Sequence, residues 1–187
     1  SRSYYLQSLA ISEAIGDIFQ TARTLNAISE DYFGQGDIEK ALDYALRSLE
    51  LHRKYPDKRW IALQLDNVGY LYEYHKEPEK ALNYYTEAYN ILTALGAKGQ
   101  HRIANSHKNL ANVNRALKRY DEALRWALRG VQIGVYEKHE SLNGDRGNYK
   151  ALADVYEALG NTDAALEWNK RILALPSVPS PYNVGVC

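Results

Sequence analysis

The chain has 187 residues, of which 45% are hydrophobic and 25% charged, and this composition is typical of a folded globular protein rather than a disordered or collagen-like one. Its 23 Lys and Arg equal its 23 Asp and Glu, so the chain lacks the positive excess that binding to nucleic acid or to an anionic membrane requires. No apolar run approaches the roughly 18 residues that a membrane span needs.

A short pattern recurs along the chain. It consists of an acidic residue or Lys followed by Ala-Leu, or in its last copy by Ala-Ala-Leu. Its alanines are spaced 40, 42 and 42 residues apart, and they are Ala41, Ala81, Ala123 and Ala165. About twelve residues before each alanine a small residue follows an aliphatic one, and these small residues are Ser29, Gly69, Ala111 and Ala153. Self-similarity at a fixed period predicts a stack of equivalent structural units.

In chain order, the first predicted element is a helix within residues 1–17. Residues 4–11 (YYLQSLAI) match residues 84–91 (YYTEAYNI), which follow the second of the recurring alanines. The first helix therefore corresponds to the second helix of a repeat whose first helix is absent from the sequence.

Residues 18–58 are predicted to form two helices. Leu25, Ile28 and Tyr32 fall at i, i+3 and i+7, which places them on one face of a helix. Gly36 is suited to end that helix, and Asp37 is placed to cap the next one.

In the later repeats other residues mark the boundary between the two helices. Pro78 stands at the equivalent boundary of the second repeat, where its missing N–H costs nothing in the first turn of a helix. The fourth repeat has Gly160-Asn161-Thr162 there. No segment alternates apolar and polar residues as a strand would, so the sequence predicts an all-α fold.

The small residues and the aromatic residues have complementary predicted roles. Two helices that cross closely need a position with almost no side chain, and Ser29, Gly69, Ala111 and Ala153 provide one in each repeat. Large aromatic rings are then expected to fill the gaps between successive repeats. This packing would explain why the chain has 16 Tyr but only 2 Phe.

This arrangement resembles the tetratricopeptide repeat family, specifically the subclass with repeats of about 40 residues that is similar to kinesin light chain, Pins-type scaffolds and bacterial signalling proteins. The resemblance implies a right-handed α-solenoid. It divides the chain into 1–17, the second helix of a truncated repeat; 18–58, repeat 1; 59–99, repeat 2; 100–140, repeat 3; 141–175, repeat 4; and 176–187, a Pro-rich tail.

Signatures of catalysis and of cofactor binding are missing from the sequence. It has no phosphate-binding Gly-rich loop and no His-Glu-x-x-His motif, so we expect no enzymatic activity, no cofactor and no metal site. The five histidines, at positions 52, 75, 101, 107 and 139, are expected to be exposed or groove-lining polar residues. Cys187 has no histidine near it in sequence and is expected to be a terminal thiol.

In the family that the chain resembles, the first helices of the repeats line a concave groove that holds extended or helical peptides. The predicted groove positions lie on both sides of the small crossing residue in each first helix, and they place Ala27 and Ala151 on the wall together with a larger polar set. That set is Asn26, Glu30, Asp66, Asn67, Tyr70, Tyr74, Asn105, Lys108, Asn109, Asn112, Arg115, Lys150 and Asp154.

Two features of repeat 3 bear on the kind of partner. Residues 100–140 hold eight Lys and Arg against four Asp and Glu, and this local excess would attract a partner with an acidic stretch; a solvated basic face is the alternative reading. Lys108 and Asn112 have the spacing that begins the carboxylate clamp of chaperone-binding relatives. Ala151 interrupts that clamp in repeat 4, so we do not expect binding of chaperone tails.

The sequence thus predicts a protein interaction module that binds a peptide or a flexible segment, without nucleic acid or membrane as partners. The alternative is a sensory or regulatory region excised from a larger bacterial signalling protein, such as a kinase, cyclase, protease or transcription factor. The absence of Met, even at position 1, indicates a piece of a longer chain. The lone Cys187 gives no sign of an oxidising compartment, so the cytoplasm is the default location. The half-repeat at the start is uncapped, which makes association of copies through the ends of the repeat array possible.

Overall fold

A computed structural model describes residues 2–96, 100–136 and 142–175. Within these ranges every regular element is an α-helix, which confirms the predicted all-α class. The helices are α1 (Arg2–Ala14), α2 (Ile18–Gly34), α3 (Ile38–Arg53), α4 (Lys58–Tyr74), α5 (Pro78–Ala94), α6 (Gln100–Ala116), α7 (Tyr120–Tyr136), α8 (Leu142–Ala158) and α9 (Thr162–Ala174). The predicted tail, residues 176–187, lies outside the described residues, as does His139.

The helices begin and end at the residues that the sequence indicated. The Asp37 carboxylate accepts a hydrogen bond from the Lys40 backbone N–H at 3.2 Å, and Asn161 caps α9 in the same way. Pro78 is the first residue of α5. Gly36 has a φ of +81°, a left-handed conformation that glycine adopts without steric cost.

The chain divides into two compact units, residues 1–106 and residues 107–187. In the N-terminal unit α2 packs against α3, and α4 packs against α5. In addition, α1 packs against α2, and α3 packs against α4. In the C-terminal unit α8 packs against both α7 and α9. Pairs of helices adjacent in sequence are therefore the building blocks of each unit.

The predicted close crossings are confirmed in the N-terminal unit. Ser29 Oγ on α2 donates a hydrogen bond to the backbone carbonyl of Ala41 on α3 at 2.7 Å. A Cβ atom placed on Gly69 of α4 would lie only 2.7 Å from Cε1 of Tyr85 on α5. Only a residue without a side chain allows the Tyr85 ring to pack there, since that distance is well inside van der Waals contact.

The tyrosine rings pack differently from the expectation. Tyr32 stacks on Tyr44 at 5.5 Å between ring centroids, and Tyr72 stacks on Tyr84 at 5.3 Å. Each pair joins the two helices of one helix pair, whereas the sequence placed the rings between successive repeats. The expectation is wrong for these two pairs, because the second tyrosine of each, three residues after the recurring alanine, supplies a ring on the partner helix. It holds for Phe33 of α2, which packs on Tyr70 and Tyr74 of α4 in the next repeat.

Four buried polar residues occupy equivalent positions, five residues before the small crossing residue. They are Thr24, Gln64, Ser106 and Asn148. Gln64 Nε2 donates to the Ala45 carbonyl at 3.2 Å, and the Thr24 and Ser8 hydroxyls are 3.4 Å apart. Both contacts connect a first helix to the second helix that precedes it, so these polar residues link consecutive helix pairs.

Candidate peptide-binding surface

In the N-terminal unit one face of α4 is open to solvent over much of its length. Trp60, Leu63, Asn67, Tyr70 and Tyr74 follow each other at spacings of three or four residues, which places them on a single face of the helix. None of them is buried, and Tyr70 and Tyr74 expose 44% and 54% of their surface. Exposed aromatic rings in a row are common in binding surfaces.

Side chains of α2 and α4 meet in a pocket of about 200 Å³ at the C-terminal end of this face. We call it the Asn–Tyr pocket. It is lined by Asn26, Ser29, Glu30, Phe33, Asn67, Tyr70 and Leu71. Four of the residues predicted from the sequence, on two different helices, therefore surround one cavity.

A chain of hydrogen bonds holds the polar side of the Asn–Tyr pocket. Asn67 Nδ2 donates to Asn26 Oδ1 at 3.2 Å, and Asn26 Nδ2 donates to Glu30 Oε1 at 2.7 Å. Both asparagines are half-buried and Glu30 is exposed. The side-chain oxygen of Asn67, Oδ1, takes part in neither of these two bonds. An amide oxygen of this kind can accept a hydrogen bond from a peptide N–H.

Three aromatic rings form the other side of this pocket and continue beyond it. Phe33 lies edge-on to Tyr70 at 5.4 Å and to Tyr74 at 4.9 Å, and Tyr70 and Tyr74 are 4.9 Å apart. The hydrogen bond with Tyr74 and partial burial raise the pKa of Tyr70 to about 12, so its phenol stays neutral at physiological pH. Phe33 is not among the residues predicted from the sequence, although it lies seven residues after Asn26 and therefore on the same helical face.

Two carboxylates of α4, those of Asp66 and Glu73, interact with tyrosines of this region. The Tyr85 hydroxyl donates to Glu73 Oε2 at 3.0 Å. Burial, together with the negative charges of Glu73 and Asp66, raises the pKa of Tyr85. Asp66, a predicted groove residue, is half-buried on α4 and contributes to the negative potential of this region.

The other end of the α4 face opens on a second pocket, of about 240 Å³, with the opposite charge. It is lined by Arg59, Trp60, Leu63 and Arg102. The Arg59 guanidinium is paired with the Asp57 carboxylate at 2.7 Å, and this pairing raises the pKa of Arg59. Asn105, predicted to line the groove, is an exposed residue of α6 in this same compact unit.

In the C-terminal unit the predicted residues lie on α6 and α8. Four residues of α6 are half-buried: Lys108, Asn109, Asn112 and Arg115. A Cβ atom placed on Gly147 of α8 would lie 3.1 Å from Lys108 Cδ, so the Lys108 side chain reaches the neighbouring first helix. On α8, Lys150 and Asp154 form an ion pair.

Ala151 does not fit the predicted wall. It is 1% exposed and belongs to the hydrophobic core of the C-terminal unit, together with Ala111, Ala123 and Val155. It has the same position in its repeat as the half-buried Asn67 and Asn109, but its short apolar side chain is covered by the core. Of the residues predicted to line the groove, α8 therefore contributes Lys150 and Asp154.

Two histidines expected to be exposed or groove-lining are buried. His52 and His107 are each 2% exposed. His52 Nδ1 lies 3.0 Å from the Ser48 carbonyl, and its ring stacks on Trp60 at 6.1 Å. His107 packs against Trp126 at 5.5 Å. Both rings serve the core, because each lies on the inward side of its helix against an aromatic residue.

The buried position of His52 predicts a dependence of stability on pH. Burial lowers the pKa of His52 below its usual value of 6.5, so between the two values the unfolded chain binds a proton that the folded chain does not. Stability from this residue is therefore present above about pH 6.5 and is lost as the pH falls below it, by about 1.4 kcal/mol for each unit of pKa difference.

The measurement is urea unfolding of the wild type and of His52→Gln at pH 7.5 and pH 5.5. The wild type should lose more stability than the variant on acidification, because glutamine cannot bind the proton. Equal losses in the two proteins would contradict the assignment.

Clusters of metal-binding side chains and membrane-spanning helices are absent from the parts of the chain that the structure describes. No cluster of three or more His, Cys, Asp or Glu side chains there could hold a metal ion. Across the same residues, each helix is too short or too polar to span a lipid bilayer.

Solved structures with a similar fold are repeat proteins. BtubC (BKLC) from P. vanneervenii is 18% identical and superposes with a TM-score of 0.81, covering 100% of this chain and 78% of that chain. A putative kinesin light chain from Podospora anserina with nearly identical TPR-like repeats is 15% identical, with a TM-score of 0.76 and coverage of 91% and 82%. The apo form of RapI is 21% identical, with a TM-score of 0.78; the match covers 92% of this chain but 47% of RapI.

At the level of sequence, no curated protein matches the chain. The tetratricopeptide repeat family model matches residues 1–54, 20–94 and 61–134, which together cover well over half of the chain. The recurring small residues, the stacked tyrosines and the α-solenoid fold of the structural relatives all agree with that match. The chain belongs to the tetratricopeptide repeat family.

Proposed function

We propose that this chain is a protein interaction module that binds a peptide or a flexible segment along the first helices of its repeats. Tetratricopeptide repeats generally mediate interactions between proteins. The observation that carries the proposal is the Asn26–Asn67 amide pair, which lies at an open pocket between two first helices beside exposed aromatic rings. Amide side chains can bond the backbone of a peptide whatever its sequence, and the rings provide apolar contact area.

The C-terminal unit supports the same proposal with different chemistry. Lys108, Asn112 and Arg115 lie on one first helix and are accessible to solvent. Two positive charges beside an amide favour a segment that carries Asp or Glu, and such charges speed association with an acidic partner. We propose a protein partner with an acidic stretch for this unit.

The proposal includes three further points from the sequence. The module has no catalytic activity of its own and needs no cofactor, it acts in the cytoplasm, and its copies can associate through the ends of the repeat array. Size-exclusion chromatography with light scattering measures the last point directly, because association through the ends would make the apparent mass depend on concentration.

A double variant tests the proposed groove in the C-terminal unit. Peptides are first selected from a display library against the full chain, and their dissociation constants are then measured by fluorescence anisotropy. Lys108→Ala combined with Asn112→Ala should weaken binding of the acidic peptides at least tenfold, because both side chains lie on the proposed wall. Its free energy of unfolding should change by less than about 1 kcal/mol, since neither residue belongs to the core.

The matched control is Asn169→Ala combined with Lys170→Ala. These residues have the same two side-chain types but are exposed on α9, a second helix. The control should bind as the wild type does. If the Lys108 and Asn112 variant also binds like the wild type, the groove assignment in the C-terminal unit is wrong.

The second candidate function is a regulatory region of a larger bacterial signalling protein. It is favoured by the likeness to RapI and to aspartyl phosphate phosphatase F from Bacillus subtilis, of which this chain spans 47% and 44%. In both proteins the repeats that match are part of a longer chain. Sequencing the complete gene distinguishes the two candidates, because an adjoining effector domain supports the regulatory role and a chain of repeats alone supports the free-standing module.

A further inference from the structure

We propose that the Asn–Tyr pocket binds a cationic side chain, that of Arg or Lys, from the segment held along the first helices. This inference rests on the proposed function, since it names the residue type that one part of the groove selects. Three observations carry it: an exposed carboxylate, a cluster of aromatic rings, and the local distribution of charge.

The carboxylate is that of Glu30. It lies at the rim of the Asn–Tyr pocket, is exposed, and is held in place by the Asn26 amide at 2.7 Å. That bond occupies Oε1 and leaves Oε2 as an acceptor for a donor on the ligand. A carboxylate positioned by a neighbouring amide is a preorganised partner for a guanidinium or an ammonium group.

The rings of Phe33, Tyr70 and Tyr74 form the apolar part of the site. Their centroids are 4.9–5.4 Å apart, and the interplanar angles between 54° and 87° turn the rings toward different directions. Ring faces attract cations because the π-electrons give them a partial negative charge. The alkyl part of an Arg or Lys side chain packs on the same rings, so the cluster suits both parts of such a residue.

The C-terminal halves of the two helices that form the pocket carry acidic residues and no Lys or Arg. Glu30, Asp66 and Glu73 lie on the two helices that form it. The basic residues of those helices lie in the N-terminal halves and are Arg23, Lys58 and Arg59. Arg23 lies over the Phe19 ring at 5.8 Å, and Arg59 pairs with Asp57. Arg59 precedes Tyr70 by eleven residues, a distance of roughly 16 Å along the helix. This distribution of charge favours a cation over an anion at the Asn–Tyr pocket.

The test uses four fluorescein-labelled octapeptide libraries and the full chain. One central position is fixed as arginine, citrulline, norleucine or glutamate, and the other positions are mixtures of Ala, Ser, Asn and Leu. Citrulline has the shape of arginine without its charge, and norleucine keeps only an apolar chain. We expect the arginine library to bind at least tenfold more tightly than the other three in fluorescence anisotropy.

Protein variants assign that preference to the pocket. Glu30→Gln should reduce the advantage of arginine over citrulline to less than threefold, whereas Glu50→Gln, an exposed glutamate on the second helix α3, should leave it unchanged. Tyr70→Phe keeps the ring and should preserve the preference, and Tyr70→Ser should lower it. Each variant is checked for wild-type thermal unfolding before its binding is measured.

The outcomes separate this inference from the proposed function. Binding of the libraries without a preference for arginine, or a preference that Glu30→Gln does not change, overturns the cation site and leaves the peptide groove standing. Preference for the norleucine library would identify an apolar pocket instead, and preference for glutamate would contradict the charge argument. Failure of all four libraries to bind would contradict both the groove in the N-terminal unit and the cation site.

Discussion

Gly69→Ala is expected to lower the free energy of unfolding by about 1–3 kcal/mol, although alanine is the better helix former. In the interior of a helix this substitution normally stabilises by about 1 kcal/mol. Here the new Cβ would lie 2.7 Å from Cε1 and 2.8 Å from Cδ1 of Tyr85. The Tyr85 ring is 1% exposed and its hydroxyl is bonded to Glu73, so it cannot move aside without opening the core.

The control is Gly34→Ala at the end of α2. Apart from its chain neighbours and the backbone of its own helix, no atom of the described residues lies within 4 Å of the position that its Cβ would take. This variant should therefore be as stable as the wild type or slightly more stable. Urea unfolding followed by circular dichroism measures both variants. If Gly69→Ala proved as stable as Gly34→Ala, α4 and α5 could not cross as closely as the structure describes.

Gly130→Ala is expected to destabilise the C-terminal unit by a similar amount, about 1–3 kcal/mol. Gly130 is inside α7, and a Cβ there would lie 2.6 Å from Asn148 Oδ1 and 3.2 Å from His107 Cβ. Both neighbours are 2% exposed. The alanine methyl would force the Asn148 amide out of its buried position.

Gly147→Ala is the matched control in the same unit. The nearest atom to its Cβ would be Lys108 Cδ at 3.1 Å, on a half-buried flexible side chain that can rotate away. Its stability should stay within about 1 kcal/mol of the wild type. Combining Gly130→Ala with Asn148→Ala should also restore part of the lost stability, because the smaller side chain makes room for the methyl group. Additive losses in the double variant would mean that the two residues are not in contact.

Much of the fold follows from local signals in the sequence. Asp37, Pro78 and Asn161 mark helix starts because capping chemistry depends only on neighbours in the chain. Ser29 and Gly69 mark crossings because a fixed period brings each small residue to the same place in its repeat. These signals are short-range or periodic, and a single sequence contains them in full.

The polar contacts between consecutive helix pairs were not predicted, although a signal for them exists. Small residues also recur seven positions after the pattern alanine, as Ser48, Ala88 and Gly130, and Asn148 packs on the last of these. Burial of a polar residue such as Asn148 cannot be inferred from its chemistry, because polar residues are mostly exposed. The same reason explains why His52 was expected at the surface.

The candidate site was predicted in part. The Asn–Tyr pocket contains four predicted residues, since groove positions follow from the register of the repeat. Phe33 was missed although it lies four residues after Ser29, the same position that the predicted Arg115 has relative to Ala111. The hydrogen bond from Asn26 to Glu30 and the ring cluster around Tyr70 depend on side-chain conformations, which the sequence pattern does not specify.

Photo-crosslinking of a bound peptide to the full chain tests the central claim most directly. A peptide selected from the library receives a benzophenone group at successive positions, is irradiated in the complex, and the attachment sites are located by mass spectrometry. The attachment sites should fall on the first helices α2, α4, α6 and α8, including the residues of the Asn–Tyr pocket. Attachment mainly to the exposed faces of the second helices α3, α5, α7 and α9 would contradict the account.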